Sequence, residues 1–332
     1  MADIKKVAEA AGVSIATVSH VINSTRFVSE ETKNKVKRAM KELDYQPNSV
    51  ARSLRSQKTN TIGLIVPILP SDTSNFFFMT IAQGIQAELK AHGYHLLLST
   101  NTTETVEDEI EQVRLLSSKR IDGLIIAPIS EEIGYLNGMA AGFPVVFIDR
   151  RAKGFTADCV LADGYGGAYN AVKTLIDKGH RAIGMITGGL GITTSDERFR
   201  GYRQALQDHG IPFDSSMVKI ERSNFESGYA SARQLLSEHE PSALFIANNV
   251  LTMGAMRYIQ EQRIPVPGKL AVIGFDDYDW TQITSPPLTV IRQPSYELGE
   301  RAARVLLDRI EHPDAEAKEY RLDTSLILRG SC

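Results

Sequence analysis

Residues 3–23 read DIKKVAEAAGVSIATVSHVIN, and this stretch decides how the rest of the chain is understood. Ile4, Val7, Ala8 and Ala11 recur at helical spacing and give a first helix one apolar face. Gly12 breaks that helix. Ser14 suits the cap of a second one, because its hydroxyl oxygen accepts a hydrogen bond from a free N–H of the first turn. Val18, Val21 and Ile22 then line the apolar face of the second helix. Two short helices joined by a tight, glycine-containing turn make a helix-turn-helix, whose second helix enters the major groove of duplex DNA. A third helix is expected from Ser29, with Glu30 and Glu31 at the positive end of its dipole and Val36, Ala39, Met40 and Leu43 facing inward. Its outer surface is basic (Lys33, Lys35, Lys37, Arg38 and Lys41), which fits either a solvated face or phosphate contact.

Charge is distributed to match. The chain has 332 residues and a formal net charge of −3. Residues 1–60 hold 11 basic against 6 acidic side chains, and the remainder holds 26 against 34. A basic head on an acidic body implies that the head alone approaches phosphate. Cys159 and Cys332 have no metal-ligand or disulfide-framework spacing, and the seven histidines are scattered, so no metal and no cofactor are expected. The N-terminus has no apolar signal segment, and no apolar run reaches the roughly 20 residues that span a bilayer. The expected location is the cytoplasm, with no membrane partner.

From Thr61 onward the pattern becomes alternating β and α. Apolar, β-branched runs occur at 61–68, 94–100, 123–129, 144–149, 182–188, 243–248 and 270–276. Amphipathic helical segments lie around 77–92, 105–118, 165–179, 197–209, 226–238, 250–262 and 295–310. Continuous apolar strands alternating with helices indicate parallel sheets covered on both faces. So many βα units exceed one compact sheet. The expected α/β architecture is therefore a helix-turn-helix three-helix head followed by two doubly wound parallel-sheet subdomains, with a ligand site between them at the carboxyl ends of the strands.

Candidate contact residues follow from these placements. Ile15 and Ala16 open the second helix and can pack on thymine methyls, while Thr17, Ser19 and Asn23 are short polar groups suited to phosphate oxygens. Asn48 can cap a short helix over residues 48–55 that carries Val50, Ala51 and Leu54 on one face. In the body, Asp149, Asn248 and Asp276 end strands, and Arg198 opens a helix after one. Carboxylates, amides and guanidinium groups recognise hydroxyl pairs, although Asp and Asn at strand ends also serve as helix caps. GYGG (164–167) and GGLG (188–191) lack the lysine of a phosphate loop and read as turns into helices.

In order and spacing, DIKKVAEAAGVSIATVSHVIN, YQPNSVARSL, TNTIGLIVP, RIDGLIIAP, PVVFIDR, GHRAIGMITG, RFRGYRQAL, LFIANN, VIGFDD and PPLTVIRQP resemble the lactose-repressor/galactose-repressor (LacI/GalR) family of bacterial transcription regulators over essentially the whole length. The resemblance implies a DNA-binding head (1–47), a hinge helix and linker (48–60), and a periplasmic-binding-protein-like core for effector binding and dimerisation (61–332). Within the core, subdomain 1 spans about 61–160 plus 293–320, and subdomain 2 about 161–292 plus 321–332. It implies a homodimer on operator DNA and a small-molecule effector, expected to be a saccharide. The chain stops at LILRGSC without leucine heptads, so a dimer is expected rather than a tetramer.

The resemblance also distributes roles. Ser14, Ile15, Ala16, Thr17, Ser19, His20 and Asn23 would contact the operator, with His20 where the family commonly has arginine. Leu54 would wedge into the minor groove, with Asn48 and Ala51 in the same hinge helix. Phe77 and Phe78, Asp149, Arg198, Phe225, Asn248, Asp276 and Gln293 match effector-contact positions, while Phe76 replaces a usual proline and Asn249 a usual aspartate. The function expected is a ligand-controlled repressor and not an enzyme. Alternatives are the same regulator with a nucleobase or a phosphoprotein corepressor, and a sugar-binding or sugar-modifying protein with no DNA role.

Overall fold

The computed structural model describes residues 3–23, 26–45, 58–68, 75–103 and 105–332. The chain divides into two compact units, Met1–Thr59 and Asn60–Cys332. Among its described residues the first holds three helices: α1 (Ile4–Ala11), α2 (Ile15–Asn23) and α3 (Glu30–Glu42). Each start is capped. Asp3 accepts the Lys6 N–H at 2.9 Å, Ser14 accepts the Thr17 N–H at 3.0 Å, and Ser29 accepts the Thr32 N–H at 3.4 Å. Gly12 ends α1 at a φ of 63°, a left-handed turn that costs little without a Cβ. Val7, Ala8, Ala11, Val18, Val36 and Ala39 form the small core.

The second unit contains two sheets. The first is built from β1 (Thr61–Pro67), β2 (His95–Asn101), β3 (Gly123–Ile126), β4 (Val145–Ile148), β5 (Asp158–Ala162) and β11 (Glu319–Leu322), in the order β11-β5-β4-β3-β1-β2. Helices α4 (Asn75–Ala91) and α12 (Ser295–Glu311) cover one face through Phe78, Ile81, Ile85, Leu298 and Leu306. On the other face, α5 (Val106–Ser118) and the short α6 (Leu136–Met139) bring Val113, Leu116 and Leu136.

The second sheet repeats the plan. It is built from β6 (Ile183–Gly188), β7 (Val218–Glu221), β8 (Ala243–Ile246), β9 (Ala271–Phe275), β10 (Thr289–Arg292) and β12 (Ser325–Ile327), in the order β12-β10-β9-β8-β6-β7. Helices α7 (Gly164–Asp177) and α8 (Thr193–Asp208) pack on one face, α9 (Phe225–Glu238) and α10 (Asn249–Glu261) on the other, and α11 (Asp279–Ile283) is short. Every pairing is parallel except β10 with β12. Paired helices touch backbone to backbone. A Cβ on Gly299 of α12 would stand 2.1 Å from the Ile81 carbonyl oxygen of α4, and one on Gly254 of α10 would stand 2.0 Å from that of Phe225.

Five strands escape the reading of apolar runs: β5, β7, β10, β11 and β12. They have three to five residues, and β7 (VKIE) and β11 (EYRL) place a charged residue at every second position, as sheet edges do. Several helices begin earlier than expected, among them α4 at Asn75. α8 starts at Thr193, and GYGG is the first turn of α7, capped by Asp163 through the Gly166 N–H at 2.9 Å.

Candidate functional site

The two lobes face each other across a cleft of about 350 Å³ at the carboxyl ends of their strands. Seven of the eight residues expected to contact an effector line it: Phe77, Phe78, Asp149, Arg198, Asn248, Asp276 and Gln293. Asp149 follows β4 and Asp276 follows β9, the matching strand of the other lobe. Both adopt a left-handed backbone, with φ of 68° and 70°, which aspartate tolerates better than most side chains. Their N–H groups donate to the carbonyls of Val160 and Ile291, so each turn is anchored on the adjacent strand.

Arg198 is a buried cation, only 6% exposed, whose charge acts on both aspartates. Its guanidinium lies 3.7 Å from the centre of the Phe275 ring, and its Nη1 donates to the Ala247 carbonyl at 2.8 Å. Its Nε is buried without a hydrogen-bond partner. Burial pushes both aspartates above the ordinary carboxylate range and pulls Arg198 below its ordinary value, while the opposite charges in the cluster resist both shifts. Arg150 stands 3.4 Å from Asp149, and Gln293 donates to Asp276 at 2.7 Å. Among the described residues, the charged groups at the cleft are three acids (Asp149, Glu221 and Asp276) and three arginines (Arg150, Arg198 and Arg222).

Asn248 does two jobs. Its Oδ1 caps α10 by accepting from Val250 and Leu251, which leaves its Nδ2 for the cleft. The neighbouring Asn249 is buried and accepts a bond from Trp280 Nε1 at 3.1 Å. Phe77 and Phe78 sit edge to face at 5.2 Å and belong to the first lobe's core as well as to its lip. Phe76 is 66% exposed and packs on Tyr278.

Phe225 is the exception: it does not line the cleft, and its place beyond β7 is taken by Arg222 and Ser223. Thr194 and Ser195 of the first turn of α8 also face the cavity. The signal that could have found Arg222 and Ser223 is their position just past the end of β7, the same rule that located Asp149 and Asp276.

Each lobe also buries a carboxylate behind its lip. Glu109 accepts bonds from the Tyr135 hydroxyl, the Ile129 N–H at 3.0 Å and Asn101 Nδ2 at 3.3 Å, and its burial raises it above its ordinary value. Asp277 is likewise desolvated, yet Arg292 and Arg329, donating at 2.5 and 2.6 Å, hold it below its ordinary value.

In the head, Ile15 is 44% exposed and Ala16 is exposed, while Val18 is fully buried. The Ser14 and Thr17 hydroxyls are hydrogen-bonded to each other at 2.8 Å, and Ser19 and His20 are half-buried. Asn23 is the last residue of α2. Asn48, Ala51 and Leu54 lie outside the described residues. Among the described residues there is no cluster suited to a metal ion and no helix long and apolar enough to cross a membrane.

Known proteins agree with this assembly. Residues 3–48 match the bacterial regulatory proteins of the lacI family, and residues 172–332 match the periplasmic binding protein-like domain. The chain is 37% identical to the HTH-type transcriptional repressor PurR of Vibrio atlanticus, over all of this chain and 98% of the relative. It is 35% identical, with the same coverage, to the ribose operon repressor of Haemophilus influenzae. Among solved structures it superposes on the Lac repressor dimer bound to operator and the anti-inducer ONPF with a TM-score of 0.86, at 27% identity, over 99% of this chain and 98% of that one. These relatives are regulators and not enzymes, and the chain belongs with them to the lacI family of bacterial regulatory proteins, as a DNA-binding transcriptional repressor.

Proposed function

We propose that the protein represses transcription as a homodimer whose two heads hold the halves of a near-palindromic operator, and that an uncharged saccharide bound between the lobes sets its operator affinity. The observation that carries the ligand reading is the buried Asp149–Arg198–Asp276 set. Two carboxylates accept from hydroxyls, and the unpartnered Nε of Arg198 donates to one, which is the complement of a diol. Among the described residues three acids balance three arginines at the cleft, which favours an uncharged sugar over a phosphorylated or carboxylated one. Phe77 and Phe78 supply the apolar face. The ribose operon repressor's name is in keeping with this class.

On the DNA side, exposed Ile15 and Ala16 at the start of α2 support contact with thymine methyls. Ser14, Thr17, Ser19 and Asn23 position the helix on phosphates, and His20 contributes a single base or phosphate contact. Asn48, Ala51 and Leu54 lie outside the described residues, and the family resemblance gives them operator contacts, with Leu54 wedging into the minor groove. Saccharide binding favours one lobe arrangement over the other, with a typical coupling of about 1–3 kcal/mol.

The test is selection of host genomic fragments on the purified protein at near-physiological salt. It is repeated with ribose, glucose or cellobiose, then with ribose phosphate, glucose phosphate or glucuronate, and then with adenine. The expected result is a shared short palindrome whose retention shifts with a neutral sugar. A response confined to the charged sugars overturns the neutral assignment, and one confined to adenine overturns the saccharide. Retention with no shared motif, lost steeply as salt rises, overturns operator recognition.

A further inference from the structure

Glu197 and Arg198 are consecutive on α8, both nearly buried, and they serve opposite sides of it. Arg198 enters the cleft. Glu197 is gripped by the other lobe. Arg321, on β11 of the first sheet, donates Nη2 to Glu197 Oε1 at 2.5 Å and Nη1 to Oε2 at 3.1 Å. Arg151, in the loop beyond β4, has its Nη1 3.6 Å from the same carboxylate and is paired with Glu319 of β11. The Arg151 backbone N–H also donates to Thr193 Oγ1 at 2.9 Å. Helix α8 packs within the second lobe through Tyr202, Ala205 and Leu206, so these contacts fasten one lobe to the other.

Their location gives them leverage. The chain crosses between the sheets three times, and two of those crossings, between Ala162 and Gly164 and between Leu322 and Ser325, run from the first sheet to the second. A Cβ on Gly164 would lie 3.5 Å from Glu197 Oε2 and 3.7 Å from Arg198 Cγ, so both side chains rest on the first crossing. Arg321 is the residue before Leu322, at the second of these two. Rotation of one lobe against the other therefore stretches the Glu197–Arg321 pair and shifts Arg198 relative to Asp149 in one movement. A two-pronged guanidinium–carboxylate pair with its carboxylate side chain only 4% exposed is directional and weakly screened on that side.

We propose that Glu197, held by Arg321, is a positioning residue that braces the hinge between the lobes and thereby sets the reach of Arg198 toward Asp149. The consequence for ligand control rests on the saccharide cleft proposed above, but the brace itself does not. It is tested on the ligand-free full-length protein by small-angle X-ray scattering and by amide exchange of residues 162–165 and 322–325. The proteins compared are wild type, Glu197→Gln, Arg321→Met and the double variant.

Each single variant should enlarge the radius of gyration and speed exchange at both crossings about tenfold, and the double should do no more than either. A lowered melting temperature with unchanged scattering and exchange makes the pair merely structural and overturns the proposal, as does an additive double variant. Arg321→Lys keeps the charge without the two-pronged geometry and serves if the others misfold. An intermediate effect is expected from it, and wild-type behaviour overturns the brace. Failure of every sugar to bind the wild type overturns the saccharide reading and leaves this result unaffected.

Discussion

The two lobes have the same strand order and place an aspartate at the end of the corresponding strand in the same left-handed turn, yet the rest of their lips differ. Among the described residues, the first lobe surrounds its aspartate with apolar surface (Pro67, Phe77, Phe78 and Ile129) and one cation, Arg150. The second offers hydrogen-bonding groups: Ser195, Arg198, Arg222 and Asn248. The repeated scaffold fixes where two acids stand, and the loops and first helical turns decide what surrounds them. Apolar and polar recognition are thus divided between lobes, so a ligand that needs both is held only when the lobes approach.

The heaviest blow to this division is Arg198→Met. It leaves Asp276 buried without the cation that acts on it, while Asp149 keeps Arg150, and a loss of up to about 3–5 kcal/mol in urea unfolding is expected, together with loss of saccharide binding. A variant that unfolds normally and still binds would put the polar half elsewhere. Next come Gly299→Ala in the first lobe and Gly254→Ala in the second. Each drives a methyl into a facing carbonyl oxygen, and each should cost about 1–3 kcal/mol by thermal melting. Equal losses would extend the equivalence of the lobes to their helix pairs, and a silent substitution in either would break it.

Glu109 and Asp277 contrast the lobes by pH. Glu109 is raised by burial, so its contribution is fully present below its ordinary 4.5 and is lost as pH rises through its folded value. Asp277 is lowered, so its contribution is present above its ordinary 3.8 and is lost as pH falls through its folded value. Glu109→Gln should therefore flatten the decline in melting temperature above pH 4.5, and Asp277→Asn should remove support on the neutral side of its folded value. Melting curves of the two variants that changed with pH in the same sense would contradict this. The mildest change is Phe78→Leu, which keeps most of the volume. A stability cost under about 1.5 kcal/mol and a severalfold weaker saccharide affinity by calorimetry are expected.

What the sequence reveals depends on how local the signal is. The head is legible because capping, helical spacing and the Gly12 turn all act within a few residues. Asp149, Asn248 and Asp276 are placed at the cleft by lying just beyond apolar strands, and Arg198 by lying on the helix that follows one. Phe225 stands off the cleft wall. The polar VKIE of β7 is not read as a strand, so its end, where Arg222 and Ser223 line the cleft, is not seen. The Glu197–Arg321 pair spans 124 residues and follows no spacing rule, so only the folded chain brings it to light. The hinge leucine, Leu54, rests on resemblance alone.

The hydrogen bond from Trp280 to Asn249 has a practical consequence. This is the chain's only tryptophan, against eleven tyrosines, so red-edge excitation isolates a single indole. Its N–H is tied to the residue beside Asn248, within one step of the cleft wall. Any displacement of that wall alters the polarity around a half-buried emitter, and the protein carries an intrinsic fluorescent gauge of its own cleft.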